Sequence, residues 1–146
     1  MKRTILVLAL VCALALPLFA GDMIGGGFSL GVGANRYLMD AGYTAIDVSF
    51  AASLALLPIQ IDDLAAGVTI RATIGASILD DENIIGWYAL TPLLTLQFSD
   101  MSISAGYGPW ALADYPDIYI YGPAVVLGFD GLEIGMVGPS VFIGFG

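Results

Sequence analysis

The hydrophobic pattern of this chain alternates with a period of two, most clearly between Gly67 and Ile78. Every even-numbered residue of that stretch is apolar, and the odd-numbered residues are Gly, Thr, Arg, Thr, Gly and Ser. Successive side chains of a β-strand point to opposite faces of its sheet. The stretch therefore predicts a strand with one apolar face and one face of small or polar residues.

Similar alternation predicts seven strands in all, although it is blurred in the last of them. The predicted strands are residues 24–34, 44–56, 67–79, 87–98, 101–111, 118–129 and 132–145. Single-chain bacterial barrels have an even number of strands. The sequence leaves three solutions open: an eighth strand within a loop, a break of the last segment at Gly138 and Pro139, or closure by oligomerisation.

The connections between the predicted strands alternate in character. Ser99-Asp100 and Asp130-Gly131 predict two-residue hairpin turns, and residues 58–63 predict a somewhat longer link. The other connections, residues 35–43, 80–86 and 112–117, are longer and more polar. Short turns at one end and longer loops at the other are typical of outer-membrane barrels, whose short turns face the periplasm.

The pairing of apolar faces with small residues favours a barrel in lipid over a soluble sheet, whose outward face would be polar. Helices over 44–61 and 64–79 would instead place Asp47 or Arg71 in lipid. Only helices and closed barrels pair every backbone polar group within a membrane. The 19 glycines fit a narrow lumen. The predicted fold is an all-β, antiparallel, up-and-down transmembrane β-barrel of about eight strands.

The first twenty residues predict a signal peptide, which leaves residues 21–146 as the barrel domain. Lys2 and Arg3 precede an apolar run, Pro17 ends it, and Ala20 offers a cleavage site. The run is shorter than the ~20 residues that a membrane span needs. An uncleaved anchor and a lipoprotein acylated at Cys12 are the alternatives.

Charge and composition narrow the function further. After cleavage the chain keeps all 13 acidic side chains but only Arg36 and Arg71 as cations, which excludes phosphate-mediated nucleic-acid binding. It has no histidine, and no cysteine for a disulfide. A mean hydropathy of +0.89 is high for a soluble protein this acidic. We therefore expect charge and apolar surface to be segregated in space.

Aromatic residues concentrate near the predicted long-loop end, as in the interfacial girdles of membrane barrels. This set comprises Tyr37, Tyr43, Trp87, Tyr88, Trp110, Tyr115, Tyr119 and Tyr121, with Phe98 and Phe129 at the opposite end. Residues 22–146 thereby resemble the small outer-membrane barrels of the OmpA membrane domain, OmpX and OmpW type. That class implies the outer membrane as location, its lipids and the barrel assembly machinery as partners, and a terminal aromatic residue. Phe145 fits this last feature, displaced by one position.

Two groups of charged residues are the candidate sites. If the second hairpin centres near Ile59 and Gln60, Asp47 and Arg71 face each other across adjacent strands and form an ion pair in the lumen. We expect this pair to fill the interior structurally, with a gate or selectivity filter as the alternative. The second group consists of the acidic loop residues Asp80, Asp81, Glu82, Asp114 and Asp117. We expect them to form a solvated outer rim, with binding of a divalent cation as the alternative.

Catalytic and cofactor motifs are weak in this sequence. The serine–histidine hydrolases of the resembled class need a histidine that this chain lacks. Gly25-Gly26-Gly27 lies in a strand pattern with no helix after it, so a dinucleotide site is excluded, and we expect no cofactor or metal. The predicted function is a non-enzymatic outer-membrane barrel with a structural or surface-interaction role, and the sequence leaves open whether it is a monomer or a homo-oligomer. A narrow channel for small solutes and a secreted soluble β-domain with an apolar ligand are the alternatives.

Overall fold

The chain folds into a closed, antiparallel β-barrel in which each strand pairs with its sequence neighbours. The computed structural model describes residues 2–15, 24–40, 42, 45–79 and 83–146. The strands are β1 (Ile24–Asn35), β2 (Ala45–Ile61), β3 (Leu64–Leu79), β4 (Ile84–Phe98), β5 (Met101–Leu112), β6 (Ile120–Phe129), β7 (Leu132–Val137) and β8 (Ser140–Phe145). This confirms the predicted all-β, antiparallel, up-and-down barrel of eight strands. Of the three solutions left open, the break at Gly138 and Pro139 supplies the eighth strand, and β1–β8 pairing closes the barrel within one chain.

The described residues form two helices besides the barrel. The helix α1 (Lys2–Ala15) covers most of the predicted signal peptide, and α2 (Arg36–Asp40) lies in the loop between β1 and β2. No helix in the described ranges is long and apolar enough to cross a membrane. The predicted cleavage region around Ala20 lies outside the described residues. The signal peptide therefore stays a prediction.

The outward face of the barrel is apolar on every strand. Most of its large side chains are exposed, from 39% for Val125 to 72% for Leu94. Within the eight described strands, no charged residue points outward. The predicted period-two pattern thus separates an exposed apolar surface from an inward face of small and polar residues.

Register fixes the tilt of the strands. Starting from Ile24 on β1, we can step to the residue paired with it on β2 and so on from strand to strand. One circuit of the barrel ends at Ala34 on β1, ten residues from the start. At ~3.3 Å per residue and ~4.8 Å between strands, this stagger tilts the strands by about 40°. Transmembrane barrels have tilts of about 35–45°.

The barrel wall is uneven in height. The strands β2, β3 and β4 have 17, 16 and 15 residues, whereas β7 and β8 have six each. A tilted strand needs about 9–11 residues to span a bilayer. The β7–β8 hairpin therefore forms a low segment of wall between β6 and β1.

The turns opposite the long loops are all tight. Asp130-Gly131 and Ser99-Asp100 form the predicted hairpins, with φ of 48° at Asp130 and 50° at Ser99. The predicted longer link at 58–63 is wrong, because β2 continues past a bulge between Leu56 and Ile59 and turns at Asp62 and Asp63. Aspartate tolerates the left-handed conformation that Asp62 adopts, and Pro58 fits a bulge because it lacks a ladder donor.

Close approaches between strands recur at inward-facing glycines on every second strand. A Cβ added at any of them would overlap a carbonyl oxygen of the preceding strand, or of β8 for β1. These glycines are Gly33 on β1, Gly67 on β3, Gly106 on β5 and Gly135 on β7. Repeated glycines of this kind let a barrel wall turn its corners.

We predict that Gly67→Ala lowers the free energy of unfolding by about 1–3 kcal/mol, because the added methyl must displace the backbone of β2 at Leu56. Urea titration of the folded protein in detergent, followed by tryptophan fluorescence, measures the change. Gly27→Ala is the matched control, since a Cβ at that inward-facing position meets nothing within 4 Å. If both substitutions destabilise the protein equally, Gly67 is not required for the close approach of β2 and β3 at this position.

Candidate functional site

A charged pair spans the lumen near its middle. Arg71 on β3 donates from Nη2 to Glu133 Oε2 on β7 at 3.0 Å, and from Nη1 to Glu133 Oε1 at 3.3 Å. Its Nη2 also donates to Ser29 Oγ at 3.1 Å, and its guanidinium lies 5.3 Å from the centre of the Phe142 ring. The side chains are 6% exposed for Arg71 and 22% for Glu133. A two-pronged pair of this kind fixes the guanidinium plane as well as its charge.

The structure does not bring Asp47 and Arg71 together. Asp47 lies opposite Ser77, and Arg71 lies opposite Ser53, so the two charges are six residues apart along the strands. The predicted pairing placed the hairpin at Ile59 and Gln60, but the turn comes later in the chain. Because the turn is later, every residue of β2 pairs with a residue further along β3 than expected. The partner of Arg71 is instead Glu133, on the opposite side of the lumen.

Asp47 belongs to a separate polar network near the long-loop end. Its Oδ1 accepts a hydrogen bond from Ser77 Oγ, which accepts one from Asn35 Nδ2 at 2.8 Å. Asn35 Oδ1 in turn accepts from the backbone N–H of Leu38, in α2, at 3.0 Å. The carboxylate is 1% exposed. The network therefore ties α2 to the inner wall of β2 and β3.

Apolar side chains fill the lumen between this network and Arg71. Trp87 is 2% exposed and Trp110 is 5% exposed. They form one buried cluster with Ala89, Leu93, Ala124, Val126, Val137 and Phe142, which we call the plug. Their predicted place in an outer girdle is therefore wrong, because their strand positions point inward. The Tyr37 ring, in α2, contacts the Trp110 ring edge-on at 5.5 Å and covers the plug.

A cavity of about 490 Å³ occupies the other half of the lumen, at the short-turn end. Arg71 and Glu133 line its inner end, and Asp100 and Asp130 line its rim. Hydroxyl and amide side chains cover much of its wall, among them Ser53, Thr69, Thr95, Gln97, Ser102 and Ser104. We call this cavity the cup. Together the cup and the plug divide the lumen into a half that holds a cavity and a half filled by apolar side chains, and Leu93 and Val126 of the plug also line the cup.

The loop between β5 and β6 carries the described part of the predicted acidic rim. Asp114 and Asp117 are exposed there, next to exposed Tyr115 and Tyr119. Tyr88 Oη donates to the Pro116 carbonyl at 3.2 Å and holds the loop against β4. Asp80, Asp81 and Glu82 lie outside the described residues. In the part of the chain that the structure describes, no three side chains are grouped to hold a metal ion.

Sequence reasoning missed Glu133 and the hydroxyl wall of the cup. Glu133 lies in the segment whose alternation is blurred. Its position after the Asp130-Gly131 turn nevertheless places it among the residues of β7 that point inward, and this signal could have identified it. The inward serines and threonines were visible as small polar residues. Their convergence depends on closure of the sheet, which brings residues of β3, β4 and β5 onto one curved wall.

Comparison of this chain with protein-family models, curated proteins and solved structures finds no match.

We predict that Arg71 and Glu133 are energetically coupled and that Arg71 and Asp47 are not. In a double-mutant cycle with Arg71→Met and Glu133→Gln, the coupling should reach about 0.5–3 kcal/mol, because each single change leaves a partly buried group unpaired. The cycle of Arg71→Met with Asp47→Asn serves as the control and should be additive within about 0.5 kcal/mol. Chemical unfolding in detergent gives both values, and the reverse order of couplings would refute the observed pairing.

Proposed function

We propose that this protein is a non-enzymatic β-barrel of the outer membrane with a structural or surface-interaction role. Membrane lipids contact its apolar outer face, and the barrel assembly machinery inserts it. The observation that carries the proposal is the outward face, which is apolar and exposed on all eight strands. Such a surface is stable in hydrocarbon, whereas a water-soluble monomer rarely exposes so large an apolar area.

The plug supports a structural barrel over an open channel. Trp87 and Trp110 lie across the lumen with almost no exposed surface, and α2 lies above them. An eight-stranded barrel is just wide enough for side chains to fill. The filled half of the lumen therefore leaves the cup open at one end only.

The long-loop end supports a role in surface contact. In the loop between β5 and β6, Tyr115, Ile118 and Tyr119 are all more than half exposed. Each of two exposed carboxylates, Asp114 and Asp117, directly precedes one of them in the chain. Backbone hydrogen bonds from Tyr115 to Leu112 and from Ile118 to Tyr115 fold the loop into turns. Exposed tyrosines with few rotatable bonds bury large areas at a low entropy cost on binding.

The outer face distinguishes the membrane barrel from a soluble β-domain with an apolar ligand. A soluble carrier would line its interior with apolar residues and its exterior with polar ones. Here hydroxyls, an amide and charged groups line the cup together with Leu57, Leu93 and Val126, and large apolar side chains cover the exposed exterior. The exterior is therefore the reverse of the one that a soluble lipid carrier needs.

We predict that Ile70→Lys, in the middle of β3 on the outer face, lowers folded stability in lipid by about 2–4 kcal/mol. An ammonium group at that depth loses its hydration. Reversible urea unfolding in vesicles, followed by the heat-dependent shift of the folded band on gels, measures the effect.

Ile84→Lys is the matched control, because Ile84 is an exposed apolar residue at the first position of β4. At the rim the same substitution should cost only about 0–1 kcal/mol. A soluble β-domain would tolerate lysine equally at both positions and stay in solution without detergent. That result would overturn the proposal.

We predict that the wild-type protein in planar bilayers carries no steady ion current, because the plug blocks its lumen. Trp110→Ala removes a large part of the plug and should produce channel openings. Phe129→Ala, which removes an exposed outward ring, should stay closed. A stable open state of the wild-type protein would instead favour the small-solute channel.

A further inference from the structure

The cup presents more hydrogen-bonding groups than the barrel itself uses. Thr95 Oγ1 lies 2.7 Å from Thr69 Oγ1 and 2.9 Å from Ser104 Oγ, so three hydroxyls of β3, β4 and β5 form one chain. Three hydroxyls carry three protons and six lone pairs, and the two bonds of the chain use two of each. One proton and four lone pairs are left on this wall.

The inner end of the cup adds a buried donor. Arg71 uses Nη1 and Nη2 toward Glu133 and Ser29, but its Nε is buried with no hydrogen-bond partner among the described residues. An unpaired buried N–H of a charged group costs stability unless a ligand or water accepts its hydrogen bond. The inner end therefore holds a donor that the described groups of the barrel leave unsatisfied.

The β1 side of the cup offers main-chain groups as well. Residues 25–27 are glycines that line the cavity, and β8 pairs with β1 only from Leu30 to Asn35. A Cβ at Gly27 would meet nothing within 4 Å, so packing does not demand glycine there. Glycine leaves the backbone open to close approach by a ligand.

The charges of the cup narrow the ligand class. Asp100 and Asp130 at the rim and Glu133 inside oppose an anion, while Arg71 is the one cation among the described lining residues. An ammonium group only donates hydrogen bonds and would leave the remaining hydroxyl proton of the threonine chain without an acceptor. A neutral hydroxyl group both donates and accepts, so a ligand with several hydroxyls can pair with the threonine chain and with the carboxylates.

We propose that the cup binds a neutral polyhydroxylated solute of sugar size, which enters from the short-turn end. Its volume of about 490 Å³ falls within the range of small-molecule sites, about 300–1,000 Å³. The ligand hydroxyls contact the Thr69–Thr95–Ser104 chain and the inner end at Arg71. These contacts lie on the inward face of the barrel, so they do not depend on the membrane location.

Calorimetric titration of the full folded chain tests the proposal. The protein is held in a zwitterionic detergent, since a detergent with a sugar headgroup would occupy the cup. The probes are trehalose as a neutral polyol, glucose 6-phosphate as an anion and spermidine as a cation. We expect saturable binding of trehalose and at least tenfold weaker binding of the two charged probes.

Thr95→Val removes the central hydroxyl at constant shape and should weaken trehalose binding about tenfold. Thr91→Val is the matched control: Thr91 is buried on the same strand and face but does not line the cup, so binding should change less than twofold. If Thr95→Val does not fold, Ser102→Ala removes another lining hydroxyl and should weaken binding in the same way. No saturable trehalose binding, equal binding by Thr95→Val and Thr91→Val, or tighter binding of spermidine would each overturn the proposal.

Discussion

Pairing of the backbone through a closed sheet is the constraint on which the rest of this structure depends. Eight strands joined in register from β1 round to β8 leave the barrel without a free edge along their shared length. A stagger of ten residues sets both the tilt and the narrow bore. The inward glycines, such as Gly67 and Gly106, let neighbouring backbones approach where the wall bends.

A narrow bore makes each inward side chain meet others from across the lumen. The large rings of Trp87 and Trp110 fill one half, and short hydroxyl side chains leave a cavity in the other. Arg71 lies where the halves meet, with Phe142 of the plug on one side and Glu133 at the end of the cup on the other. Glu133 neutralises the charge of Arg71, which would be costly to bury unpaired beside the apolar side chains of the plug.

Several features of the fold could be predicted from sequence because they depend on neighbours along the chain. The alternation from Val68 to Ile78 identified a strand with one apolar face, and Asp130-Gly131 identified a tight turn. The register of β2 and β3 could not be predicted with the same success. A bulge near Pro58 and a turn at Asp62 displaced the partner of Asp47 by six positions.

The sequence by itself determined the strand pattern, the outward apolar face and the acidic balance, since these follow from residue order and composition. Only the tertiary structure decided that Arg71 meets Glu133, that both tryptophans turn inward, and that hydroxyls of three strands converge on one cavity. The physical reason is closure. Strands β3 and β7 are 62 residues apart at these positions, and only the curvature of the sheet brings them face to face.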